Sequence, residues 1–107
     1  MSDPFTARAI AIIKRIPPGN VLTYGLIARF AGNPRGTRQV SRILHSMSST
    51  EGLPWHRIIN AEGYIVLSSD LEKDEQATLL RGEGVVVSPD YRVDLDMYLW
   101  KSVYIEF

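Results

Sequence analysis

Pro54-Trp55-His56-Arg57 sets an indole, an imidazole and a guanidinium side by side, in a chain of 107 residues with no cysteine. The indole nitrogen is a hydrogen-bond donor only and is no nucleophile at neutral pH. An indole can instead line a pocket and make van der Waals contact with an apolar group. In a small domain it serves equally well as core packing. Without a thiol the chain has no thiolate chemistry, no disulfide framework and no cysteine-bound zinc. His56 with Glu75 could activate a water. The sequence offers neither paired carboxylates nor a metal-ligand cluster, so no metal and no cofactor is expected.

A second set of reactive side chains is basic. Val40, Ile43, Leu44 and Met47 fall at i, i+3, i+4 and i+7, which predicts a helix over about 37–47 with that stripe buried. Arg38, Gln39, Ser41 and Arg42 lie on its other faces. Upstream, Thr23 can cap a helix from Tyr24 to Ala31, closed by Gly32. Asn33-Pro34-Arg35-Gly36 reads as a tight connection. Two short helices around a small turn, the second exposing arginines, is helix-turn-helix organisation. A basic outer face is also common in helices that never meet nucleic acid.

The formal net charge is zero, but it is unevenly spread. Residues 1–60 hold eight Lys and Arg against two acidic residues, and residues 61–107 hold four against ten, giving halves of +6 and −6. A basic half can follow phosphates while an acidic half faces away, although an ordinary mixed surface reads the same way.

The remaining elements must position these groups. Asp3-Pro4 is a good helix start, with Phe5, Ala9, Ile12, Ile13 and Ile16 at helical spacing. Pro17-Pro18-Gly19 ends that helix, and Val21-Leu22 is a short extended piece. Ser48 to Leu53 reads as a polar loop. Ile58-Ile59 and Tyr64 to Leu67, around Asn60-Ala61-Glu62-Gly63, predict a hairpin and hence a small wing. Ser69 with Glu72 suggests a capping box for a helix over 70–81, stopped by Gly82 and Gly84. Val85-Val86-Val87 reads as a short strand, and the tail from about 89 as irregular or weakly helical. The length fits one domain, 1–107. No apolar run approaches the ~18 residues of a membrane-spanning helix, and no signal-peptide core is apparent, so a cytoplasmic protein is expected, nucleoid-associated if bacterial.

Thr23-Tyr24-Gly25-Leu26-Ile27-Ala28, Gly32-Asn33-Pro34, Arg38-Gln39-Val40 and Pro54-Trp55-His56-Arg57 stand in an order and spacing that resembles the O6-alkylguanine-DNA alkyltransferase family. The likeness runs over about residues 5–87. It implies a mainly helical α+β fold, a winged helix-turn-helix like the C-terminal DNA-binding domain of those enzymes. They carry Pro-Cys-His-Arg, whose thiolate accepts the alkyl group from damaged guanine. Here Trp55 stands at the nucleophile position, as in the alkyltransferase-like branch, which binds O6-alkylguanine without repairing it.

The resemblance assigns the remaining roles. Tyr24 would crowd the 3′ phosphate and promote nucleotide rotation. Arg38 would enter the duplex from the minor groove and replace the extruded base, with Gln39, Ser41 and Arg42 beside it on the DNA. Tyr24, Pro54, Trp55, His56, Arg57, Ile58 and Ser69 would form the lesion pocket. His56 would be vestigial, because the family's proton-relay glutamate falls at Ala77 in the simplest register, with Glu75 close by. Arg57 would hold the site together. The family's asparagine hinge is missing near Met47, and its base-covering loop is replaced by Leu67-Ser68-Ser69-Asp70, which implies a more open pocket able to take larger adducts.

Three functions compete. The first is a non-enzymatic, monomeric damage sensor that binds and flips O6-alkylguanine in duplex DNA and channels it to nucleotide excision repair proteins. The second is a family enzyme with altered chemistry. The third is a winged helix-turn-helix regulator, which would need major-groove contacts and dimerisation.

Overall fold

The computed structural model describes residues 3–101. Helix α1 spans Pro4–Arg15, with the Asp3 carboxylate accepting from the Phe5 amide at 2.8 Å and Pro4 in the first turn. Its buried face is Ala9, Ile12 and Ile13, continued by Ile16 just beyond the helix. Strand β1 (Leu22–Thr23) leads directly into α2 (Tyr24–Phe30), which Thr23 caps by accepting from the Leu26 amide at 3.1 Å. Helix α3 spans Thr37–Glu51 and packs with α1 and α2 as a three-helix unit.

Helix α3 runs past the predicted end at Met47, so the expected polar loop over 48–53 is largely helical. Ser48, which suggested a loop, satisfies its hydroxyl on the helix itself by donating to the Leu44 carbonyl at 2.5 Å, as Ser46 does to the Arg42 carbonyl at 2.7 Å. The true stop is Gly52, whose left-handed conformation (φ 63°) lets the Leu53 amide reach the Ser48 carbonyl.

A 3₁₀ turn, Trp55–Arg57, precedes β2 (Ile58–Ile59). The expected hairpin partner for β2 is wrong. Ile58 and Ile59 pair in parallel with β1, in the register Leu22↔Ile58 and Thr23↔Ile59. The reason is burial on both faces. Successive strand residues point to opposite sides. Leu22 and Ile58 enter one core cluster, with α1, α2 and α3; Val21 and Ile59 enter a second, with Ile65, Ala77, Leu80, Val85, Val87 and Val93. A hairpin at the protein's edge would have left one isoleucine in water. Asn60 does fold the chain back, its side-chain oxygen accepting from the Glu62 and Tyr64 amides. The returning segment then meets residues 91–93: the Ile65 amide donates to the Tyr91 carbonyl at 3.0 Å and the Val93 amide to the Gly63 carbonyl at 2.8 Å.

Helix α4 spans Asp70–Gly82, capped by Ser69 as predicted. Val85–Val87 forms no strand beyond a single bridge from Val87 to Val93. From 89 the backbone is mostly irregular, with one short helix, α5 (Leu95–Tyr98), yet it is tied in: the Val21 amide donates to the Tyr98 carbonyl and the Trp100 amide to the Val21 carbonyl, both at 2.9 Å. No helix among the described residues is long and apolar enough to cross a membrane.

Gly63 is the tightest point of this second layer. Its φ is +92°, and a Cβ there would overlap the Val93 carbonyl oxygen. Gly63→Ala should therefore cost about 2–4 kcal/mol, from positive-φ strain plus the displaced backbone pair. A lowered urea midpoint with unchanged m-value is the expected readout; an unaltered midpoint would show that the 91–93 pairing contributes nothing.

Candidate nucleic-acid interface

Glu83, just past the end of α4, organises the centre of the molecule. Its carboxylate accepts from Arg57 Nε at 3.0 Å and Nη2 at 2.6 Å, bonds His56 Nε2 at 2.7 Å, and accepts the Gly19 amide at 3.1 Å. Arg57 Nη1 donates to the Ile16 carbonyl at 2.9 Å. One carboxylate thus ties the 3₁₀ turn to the Pro17-Pro18-Gly19 bend and to α4. The Arg57 guanidinium, then the His56 and Gly19 donors, overcome desolvation and hold the Glu83 carboxyl down at about 2. Because the ionised carboxylate only accepts, the His56 Nε2 position carries the proton.

This corrects the expected position of the glutamate. Ala77 is fully buried in the second core cluster, and Glu75 is exposed and makes no bond to His56. The glutamate that meets His56 is Glu83, so His56 has its acidic partner. What aligns with α4's interior is Gln76, which is 2% exposed and donates from Nε2 to the carbonyls of His56 (3.0 Å) and Ile58 (2.9 Å). Gln76 and Glu83 together fix both ends of the turn that carries Trp55.

Trp55 and Tyr24 line a cavity of about 360 Å³ between α3 and α4. Tyr24 stands at the start of α2, and burial pushes its hydroxyl pKa up. Ser41, Leu44, His45 and Ser48 supply the α3 wall, and Glu72, Glu75 and Gln76 the α4 wall, with Leu67 between. The Trp55 and His56 rings meet edge to face, their centroids 6.1 Å apart.

The structure divides the expected pocket set. Tyr24 and Trp55 come together, and Ser41, expected on DNA, joins them. Pro54, His56, Arg57, Ile58 and Ser69 do not line the cavity. His56 and Arg57 are committed to Glu83, Ile58 is core, and Ser69 caps α4. The unforeseen lining follows readable spacings: 41, 44, 45 and 48 share one flank of α3, and 72, 75 and 76 share one of α4.

Arg38, Gln39, Ser41 and Arg42 are all exposed on α3. Residues 24–50 contain Arg29, Arg35, Arg38 and Arg42 and no acidic residue. Among the described residues none of these four guanidinium groups has a hydrogen-bond or ion-pair partner. Arg38 lies in the first turn of α3, where the free backbone amides and helix dipole add to its attraction for an anion. An unneutralised cationic face of this kind is an electrostatic footprint for phosphates.

A helix-turn-helix with a free basic helix, beside an aromatic cavity large enough for a base, defines a DNA-binding domain that can hold an extruded nucleotide. The chain belongs to the family of the 6-O-methylguanine DNA methyltransferase DNA-binding domain, whose pattern matches residues 4–85. It is 43% identical over 99 residues to the DNA base-flipping protein of Escherichia coli K12, covering 92% of this chain and 75% of that one. It is 35% identical over 105 residues to alkyltransferase-like protein 1 of Schizosaccharomyces pombe, covering 92% and 96%. The fold superimposes on S. pombe Atl1, solved in complex with damaged DNA containing O6-carboxymethylguanine, with a TM-score of 0.83 and 33% identity over 94% of this chain and 98% of that one.

The Glu83 network should show itself in acid. A carboxyl whose folded pKa lies below its ordinary 4.5 contributes stability above that value and loses it as pH falls toward about 2. The contribution at pH 7 is on the order of 3 kcal/mol. Glu83→Gln should lower neutral-pH stability by about that amount and flatten the acid limb of the stability–pH curve. Parallel curves for the two proteins would show that Glu83 is not the group responsible.

Proposed function

We propose that this protein is a non-enzymatic sensor of O6-alkylguanine in duplex DNA. The observation that carries the reading is the juxtaposition of Trp55, in place of any thiol, with a base-sized cavity beside an unpaired arginine helix. Alkyl transfer needs an ionisable nucleophile such as a thiolate, and the chain has no cysteine. An O6-alkylated base inside the stack cannot reach a cavity between helices, so it must be extruded. Tyr24, at the N-terminus of α2, is the group that presses on the neighbouring phosphate. Arg38 fills the gap from the minor groove, where a planar cation can stack on bases and donate to the orphaned cytosine. Trp55 meets the alkyl group.

The family membership and the likeness to a base-flipping protein and to Atl1 support this reading over a sequence-reading regulator. The protein acts as a monomer, and the protein–DNA complex is the signal that nucleotide excision repair proteins read. The cytoplasm, with the nucleoid, is the expected compartment.

At fixed salt, a duplex with one O6-methylguanine should bind at least tenfold more tightly than the same duplex with guanine, and the recovered DNA should retain its methyl group. Equal affinity, or loss of the methyl, would remove the sensor reading. Arg38→Ala should weaken lesion binding by about 1–3 kcal/mol. Arg42→Ala should behave differently, weakening damaged and undamaged duplexes alike and reducing the salt slope by about one. If both variants lose the same factor on both duplexes, Arg38 is a phosphate contact and not the intercalating finger.

A further inference from the structure

The α4 wall of the cavity is acidic, and nothing in a general O6-alkylguanine site requires that. Gln76 is pinned to the 3₁₀ turn by its bonds to the His56 and Ile58 carbonyls. Glu72, four residues earlier on the same helix, and Glu75, one earlier, are exposed and line the same cavity as Trp55. The Glu72 carboxylate accepts from the Ser68 and Ser69 hydroxyls at 3.3 and 3.1 Å, which leaves its charge in place. Glu75 has no bonding partner among the described residues. No lysine or arginine lines the cavity, and His45 is its one basic side chain.

We propose that Glu72 and Glu75 make the pocket select O6 substituents by charge, favouring those that end in a cation or a hydrogen-bond donor over those that end in a carboxylate. The inference rests on the lesion-sensor reading and specifies its ligand. Two uncompensated carboxylates repel a third placed between them, and in a half-open site such like-charge contact serves mainly to reject the wrong ligand. A donor or cation at the same place replaces lost water with a charge-assisted hydrogen bond. A methyl group brings neither a charge nor a donor to the carboxylates, so its acceptance depends on contact with Trp55.

The test uses one duplex sequence carrying, in turn, guanine, O6-methylguanine, O6-(2-aminoethyl)guanine or O6-carboxymethylguanine, at fixed pH and salt. The protein should bind the aminoethyl lesion about tenfold more tightly than the carboxymethyl lesion. In Glu72→Gln/Glu75→Gln the two should come within about twofold. Glutamine preserves the capping geometry at Ser69, and the single variant Glu75→Gln, at a side chain with no bonds to lose, should narrow the ratio without any question of folding. An aminoethyl lesion bound no better than the carboxymethyl one, or a ratio that the glutamine variants leave unchanged, overturns the proposal. If methyl preference over guanine survives while the charge ratio is absent, only this proposal falls. If methyl preference is itself absent, the sensor reading falls and takes this one with it.

Discussion

One buried-edge carboxylate holds the working part of this protein in place. Glu83 meets Arg57, His56 and the Gly19 amide at once, and Arg57 Nη1 donates to the Ile16 carbonyl. The arrangement satisfies every partner with a charge-assisted bond, which is the condition under which a largely desolvated ion pair stabilises a fold. Its consequence is positional. The 3₁₀ turn has no buried side chain of its own and only three residues, so packing alone would not fix it. Glu83 and Gln76 do so from outside, and Trp55 inherits their rigidity.

The parallel pair of two-residue strands extends this constraint through the molecule. Because Leu22 and Ile58 face one cluster while Val21 and Ile59 face the other, neither layer can shift without disturbing the strand pair. The first layer carries the basic helix; the second carries α4 and the acidic half of the chain. The cavity lies where α3 and α4 approach, so its two walls belong to elements joined through β1 and β2. That places the group that would grip DNA and the wall that would read the lesion on one connected scaffold.

Much of this was legible in the sequence, for definite reasons. The stripes of α1 and α3, the caps at Asp3, Thr23 and Ser69 and the exposed face of α3 follow from local spacing and local hydrogen bonding, which a linear chain states directly. The misses share another cause. Ser48 looked like a loop residue because back-bonding to the helix is invisible without the helix. Ile58-Ile59 looked like half of a hairpin because the nearest apolar run lay just downstream, whereas its true partner lay 36 residues upstream, at Leu22-Thr23. Glu83 was passed over because register arguments weigh neighbours in sequence, while its role is set by a bend near residue 19 and a turn near residue 56. The cavity's α4 wall was missed likewise, since its carboxylates matter only once Gln76 has fixed the helix against Trp55.

The grouping of His56, Arg57 and Glu83 in a chain without a thiol has a physical explanation that needs no catalysis. Removing Glu83 would leave the part-buried Arg57 and His56 donors without their acceptor, and removing Arg57 would take the main cation from the Glu83 carboxylate. Breaking such a pair costs more than the intact set contributes over an apolar substitute. Trp55 is placed differently. It lines a cavity and its side chain makes no bond in the network, so its identity can change without breaking one. An indole there adds contact area while the supporting bonds stay whole. A site built this way separates its two tasks: the network sets where residue 55 stands, and the side chain at 55 sets what the cavity offers a ligand.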